Sequence, residues 1–131
     1  MLCKNIYDNE VIMSTLTVQI FSPDLLETFE HYKKAFNATQ ISLARGSENE
    51  PIHLEMDIMG NRMAISPHAP HEITKGNVTV ICLGFENIEA LLQTYDVLRD
   101  GGQTDGLAEL PWSPLQGYVT DKYGVVWCIG L

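Results

Sequence analysis

Three ionisable side chains stand two residues apart on one short run: His53, Glu55 and Asp57, interleaved with Ile52, Leu54, Met56 and Ile58. Strict alternation of polar and apolar residues marks a half-buried strand, so the three would share its polar face. A histidine beside a carboxylate can move a proton near neutral pH, because imidazole titrates there and the carboxylate orients the ring. The same donors, joined by His68 or His71 downstream, would also suit a metal ion. The competing reading is a solvated strand face followed by two idle histidines. Cys128 would be a nucleophile only with a base beside it to lower its pKa, and no such base is identifiable. Packing as a small hydrophobe is the simpler reading. Trp112 lies on a proline-bracketed loop, Leu110-Pro111-Trp112-Ser113-Pro114, where an aromatic can stack on a ligand, seal an interface or plug the core edge. Trp127 reads as core, His31 as a helix-surface residue, and Met56, Met59 and Met63 as soft packing. There is no serine-histidine-aspartate spacing, phosphate loop or basic aromatic stripe.

Composition narrows the partners. The chain has 131 residues, enough for one domain with a sizeable core, and 45% of them are hydrophobic. Eight basic against 17 acidic residues give a formal charge of −9. Such a surface repels phosphate backbones and anionic membranes, so neither nucleic acid nor a membrane is expected as a partner. Cys3, Cys82 and Cys128 form neither a CxxC pair nor an even framework, which points to a reducing, cytoplasmic location. No apolar run approaches the length of a membrane span, and Lys4, Asp8 and Glu10 interrupt any signal-peptide core.

The elements that would position these residues occur twice. Residues 1–13 show no period and read as an extension, with Met13 as an alternative start. Leu16 to Ile20 alternate as a strand. Ser22-Pro23 then opens a helix over 23–36, with Ser22 as N-cap and Leu26, Phe29, Tyr32 (or Lys33) and Phe36 as its apolar stripe. Strands over 39–45, 51–58 and 61–66 follow, the last two joined by a tight turn at Met59-Gly60-Asn61. A linker over 67–76 leads to a strand over 78–83, a helix over 87–99 closed by Gly101-Gly102, and strands over 103–108, 115–120 and 125–130. A shift of 62 aligns Val18 with Val80, Ile20 with Cys82, Leu26 with Ile88 and Phe36 with Leu98. A shift of 64 aligns the hairpins Asp57-Ile-Met-Gly60 and Asp121-Lys-Tyr-Gly124. Each half leaves a sheet face bare unless it pairs with the other, so duplication answers a burial problem.

Two segments carry a resemblance. Phe29-Glu-His-Tyr-Lys-Lys-Ala-Phe36 and the run from Trp112-Ser-Pro114 through Gly117, Thr120-Asp-Lys-Tyr-Gly-Val125 to Trp127 resemble the PhnB-like branch of the vicinal-oxygen-chelate superfamily. That superfamily holds glyoxalases, extradiol dioxygenases and proteins of fosfomycin and bleomycin resistance. The resemblance spans residues 14–131, and the C-terminal run is its specific part. It implies an α+β fold of two tandem βαβββ modules, 14–66 and 77–131, whose curved mixed sheets surround a pocket with the helices outside. Asn37-Ala38 replaces the glycine relatives usually carry after the helix, a change only in how the helix ends.

Superfamily members with metal chemistry take one ligand from the first strand and one carboxylate from the last strand of each module. Those positions here fall on Thr17, Ala64, Thr79 and Cys128, none of them His, Asp or Glu, so no metal and no other cofactor is expected. If Ala64 faces the pocket, alternation brings Arg62 and Ser66 with it, and Thr17 brings Gln19. An inward Arg62 needs a carboxylate, either Glu55 or an anionic ligand; otherwise it reaches out beside the turn. The expected ligand contacts are Thr17, Gln19, His53, Arg62, Thr79, Trp112 and Cys128. The reading is a metal-free small-molecule-binding homodimer. Its rivals are a lyase, isomerase or metal enzyme using His53 and Glu55, and a dimerising module with a vestigial pocket. The methyltransferase label common among PhnB-like sequences finds no support, since no glycine-rich loop links a strand to a helix for a nucleoside cofactor.

Overall fold

The structure, a computed structural model, describes residues 15–131; the extension over 1–13, with Cys3 and Met13, lies outside the described residues. The first module runs β1 (Val18–Phe21), α1 (Leu25–Phe36), β2 (Thr39–Arg45), β3 (Pro51–Ile58) and β4 (Asn61–Ser66). The second runs β5 (Ile81–Gly84), α2 (Ile88–Arg99), β6 (Gln103–Thr104), β7 (Ala108–Leu110), β8 (Ser113–Thr120) and β9 (Val126–Gly130). The sheets are ordered β1-β4-β3-β2 and β5-β9-β8-β6, with β7 also on β8. In both, the first and last strands of the module pair in parallel and the rest are antiparallel. The repeat and the α+β class are therefore as the sequence implies. One expected strand, 103–108, is two short ones separated by Gly106, whose φ of 98° breaks the ladder.

Both first strands are shorter than their alternation implies. The parallel ladders have no partner residues before Val18 and Ile81, and Leu16 and Val78 are exposed. Register also corrects the repeat by one residue. Gln19 lies opposite Ala64 and Cys82 opposite Cys128, so Cys82 corresponds to Gln19 and not to Ile20.

α1 starts two residues later than expected from Ser22. Asp24 is the cap, its carboxylate accepting from the Glu27 amide at 3.1 Å, while the Ser22 hydroxyl bonds Thr28 Oγ1 at 2.6 Å. The apolar stripe begins at Leu25, 2% exposed, rather than Leu26, 40% exposed, and continues through Phe29, Tyr32 and Phe36. At the other end Asn37 takes the left-handed conformation (φ 56°) that glycine would, and its amide closes on the Lys33 carbonyl at 2.9 Å. α2 is capped by Asn87, which accepts from the Glu89 and Ala90 amides at 2.7 and 3.1 Å. Past its end, Gly102 sits so close to the Thr120 carbonyl of β8 that any side chain would collide with it.

Each sheet turns one face to the helices, and both faces feed a single core. Leu54, Met56, Ile58, Met63 and Ile65 of the first sheet join Val119, Trp127 and Ile129 of the second, around Phe29, Tyr32, Phe36, Leu91 and Leu98. The helices touch directly, Thr94 Oγ1 donating to the Ala35 carbonyl at 2.6 Å.

Across the module boundary the decisive group is Asp121, only 3% exposed. Its Oδ2 accepts from Tyr32 Oη of α1 at 2.6 Å and from Trp127 Nε1 at 2.9 Å. Its Oδ1 accepts the Tyr123 and Val125 amides at 2.9 and 3.0 Å, shaping the β8–β9 turn. Every lone-pair direction of the buried carboxylate is thus used, which is what makes its burial tolerable. Burial beside Asp121 pushes the Tyr32 phenol far above its ordinary pKa, so it stays a donor. Asp121→Ala would strand two buried donors and is expected to cost about 3–5 kcal/mol in urea unfolding. Tyr32→Phe, which loses one charged hydrogen bond, should cost about 1.5–3 kcal/mol.

Candidate functional site

The faces turned away from the helices differ in chemistry. On the first sheet the register sets Gln19, Ala64, Glu55 and Ser42 in one row, and Phe21, Ser66, His53 and Ala44 in the next. Ala64 and Ser66 are small and buried beneath their neighbours. Around this floor runs a linked set of polar groups. Gln19 Nε2 donates to Ser66 Oγ at 3.2 Å, and Ser66 Oγ lies 2.9 Å from His53 Nδ1. His53 Nε2 faces Glu55 Oε2 at 3.5 Å, and Glu55 Oε1 accepts from an Arg62 guanidinium nitrogen at 2.6 Å. With Gln19 on one lone pair of Ser66, the hydroxyl proton is free to go to Nδ1, which leaves Nε2–H facing the carboxylate. The ring is fixed from both sides. Arg62 is exposed and meets its carboxylate, Glu55, within the chain. The pair is partly solvated, so it holds geometry more than it adds stability.

Other expected members stand apart. Thr17 and Thr79 lie before their strands and are exposed, so neither adds to this row. Asp57 shares the face, but its Oδ2 accepts the Gly60 amide at 3.1 Å and belongs to the hairpin turn. His68 is exposed, and His71 packs edge-on against Phe21 with centroids 5.7 Å apart. Among the described residues no three His, Cys, Asp or Glu side chains are placed to hold a metal ion. The residues present do not fit the divalent metal of the superfamily.

On the second sheet the outer row is Tyr118, Cys128 and Cys82. Cys128 is buried, and Gln116 Nε2 donates to its sulfur at 3.1 Å. Burial and the neighbouring Cys82 push the Cys128 thiol above its ordinary pKa, against a role as nucleophile. Trp112 does not plug the core edge: it is 72% exposed, with Nε1 donating to Gln116 Oε1 at 3.1 Å. Gln116 was missed in the sequence, although alternation with Gly117 and Val119 marks it as outward. Two open clefts border these faces. One of about 300 Å³ runs between Val18, Arg62 and Met63 on one side and Ile81, Cys82 and Leu83 on the other. The second, about 390 Å³, lies among Cys82, Trp112, Gln116 and Cys128. Neither sheet closes on itself, and both end in free edges.

The two-module arrangement is that of the glyoxalase, bleomycin-resistance and dioxygenase fold. No family model matches the chain, and no curated protein matches it in sequence. Solved structures do. The chain is similar to the PhnB protein of Bacillus cereus, whose description names a candidate 3-demethylubiquinone-9 3-methyltransferase, with TM-score 0.76 and 23% identity over 90% of this chain and 98% of that one. It is similar to the fosfomycin resistance protein FosX of Mesorhizobium loti at TM-score 0.66 and 11% identity, over 92% of each chain. A glyoxalase/bleomycin resistance protein/dioxygenase family enzyme of Burkholderia phytofirmans matches at TM-score 0.63 and 20% identity, over 87% and 94%. At these identities the likeness is one of fold.

His31 is a correction of another kind. It is 9% exposed rather than on the surface, its ring edge-on to Tyr123 with centroids 5.5 Å apart, and Nε2 has no hydrogen-bond partner among the described residues. Burial pushes its pKa below 6.5, Lys122 adds to this, and Asp121, Asp100 and Glu27 oppose it. A folded pKa below the unfolded one means that the fold accepts the neutral ring. The contribution is complete above the ordinary histidine pKa and is lost as pH falls through the folded value. Stability to urea should therefore drop between pH 7 and pH 5, and the drop should be shallower in His31→Leu.

Proposed function

We propose that this protein is a cytoplasmic, divalent-metal-free binder of a small organic molecule, of the PhnB-like kind, acting as a homodimer. The observation that carries the reading is the linked row Gln19–Ser66–His53–Glu55–Arg62 around a small-residue floor on an open sheet face. It offers an amide, an imidazole and a guanidinium to a ligand with a carbonyl or anionic group, beside the cleft that Arg62 lines. Trp112 and Tyr118, both exposed, supply aromatic surface on the second sheet. A second copy would cover faces that one chain leaves open. The free thiols Cys82 and Cys128 accord with a reducing compartment.

A second reading keeps the same residues as an enzyme. As a general base in a lyase or isomerase reaction, His53 would draw the proton through the Ser66 hydroxyl bonded to its Nδ1, with Glu55 facing Nε2 and Arg62 steadying developing negative charge. It differs from the first in requiring turnover that is abolished by His53→Ala with the fold intact.

Native mass spectrometry of protein purified from its host under mild conditions tests the proposal. The expected spectrum is a dimer carrying a retained small molecule. Arg62→Ala and His53→Ala should each weaken retention about 10–100-fold, the loss of one charged hydrogen bond. A monomer without ligand, or variants that retain it as well as the parent, would overturn the reading.

A further inference from the structure

The second sheet holds a feature that this reading does not use. β5 and β9 run parallel with Cys82 opposite Cys128, so both thiols rise from the same sheet face on neighbouring strands. Cys82 is exposed and Cys128 lies beneath the surface, at the bottom of the cleft that Trp112 and Gln116 border. The side-chain amide nitrogen of Gln116 points at Cys128 Sγ from 3.1 Å, because the amide oxygen is held by the Trp112 indole N–H at 3.1 Å. The sulfur is thus provided with a donor that would offset negative charge on it.

Adjacent strands are about 4.8 Å apart, and side chains in register stand nearly parallel. A disulfide draws the two Cβ atoms to about 3.8 Å, so these chains would have to lean together to form one. Two metal–thiolate bonds of about 2.3 Å laid end to end span about the strand spacing. Thiolate pairs select soft ions, and zinc and iron–sulfur centres need further ligands. Among the described residues no third His, Cys, Asp or Glu is placed to provide one.

From this geometry we infer that Cys82 and Cys128 form a two-coordinate site for a soft monovalent metal ion of the copper(I) kind. Binding releases both thiol protons to solvent and leaves one net negative charge on the bis-thiolate. The Gln116 amide meets that charge at Cys128, and Cys82 faces the entry side. No electron is transferred. The site is on the opposite module from the His53 row, so it stands or falls independently of the small-molecule reading.

The test uses the full chain carrying Cys3→Ser, so that only the two strand thiols remain. Copper(I) is added without oxygen in competition with bathocuproine disulfonate, and metal per chain is counted by native mass spectrometry. One copper(I) per chain is expected, with zinc(II) not retained. Cys82→Ser, at an exposed position that the core does not need, should weaken copper binding by more than the roughly 10–100-fold that losing an outer-shell partner costs. Copper should also quench tryptophan emission in the parent and do so much less in Trp112→Phe. Failure to hold copper against the chelator, or undiminished binding by Cys82→Ser, would overturn the assignment.

Discussion

A carboxylate buried between two modules is stable only where enough donors meet it, and Asp121 has four. Two come from the turn it closes, one from Trp127 on the following strand, β9, and one from Tyr32 on the helix of the other module. The group therefore fixes the local turn and the mutual placement of the halves together. Aromatic packing follows its lead, with Phe36 and Trp127 centroids 4.7 Å apart and Tyr32 edge-on to both Trp127 and Tyr123. At the surface, Lys122 and Glu27 pair across the same boundary at 3.1 Å, a contact too solvated to matter much by itself. Residues of both modules then border one cleft, Arg62 and Met63 on one side and Ile81 and Cys82 on the other.

Those outer faces have diverged while their inner faces have not. Inward residues are large and apolar in both modules, because each must cover a helix and join one core. Outward, the first sheet carries donors, acceptors and a paired Arg62, whereas the second carries thiols and aromatic rings. Equivalent positions make the contrast plain: Gln19 against Cys82 on the first strands, Ala64 against Cys128 on the last.

Much of this was legible in the chain. The alternation of β3 set His53 and Glu55 on one face, and the same rule placed Gln19, Arg62 and Ser66 with them. Precision failed where a one-residue error is cheap in sequence and costly in space. A strand has a period of two, so matching Ile20 to Cys82 assigns the exposed thiol to the core face. The same slip made Thr79 the counterpart of Thr17, although neither lies on a strand. In α1, Leu25 and Leu26 are equally apolar, and only packing chooses between them. Asp121 and His31 were opaque for another reason. Their burial is created by the other module, and no local pattern records that contact.

The proposed scaffold binds a small molecule through its own side chains and without a divalent metal. Elemental analysis of untagged protein, purified without chelators, addresses it most directly. Manganese, iron, nickel and zinc are expected far below one ion per chain, with no rise in Tm when they are added. Near-stoichiometric content of any of these four, with a Tm that falls on its removal, would contradict it and return His53 and Glu55 to the role of metal ligands.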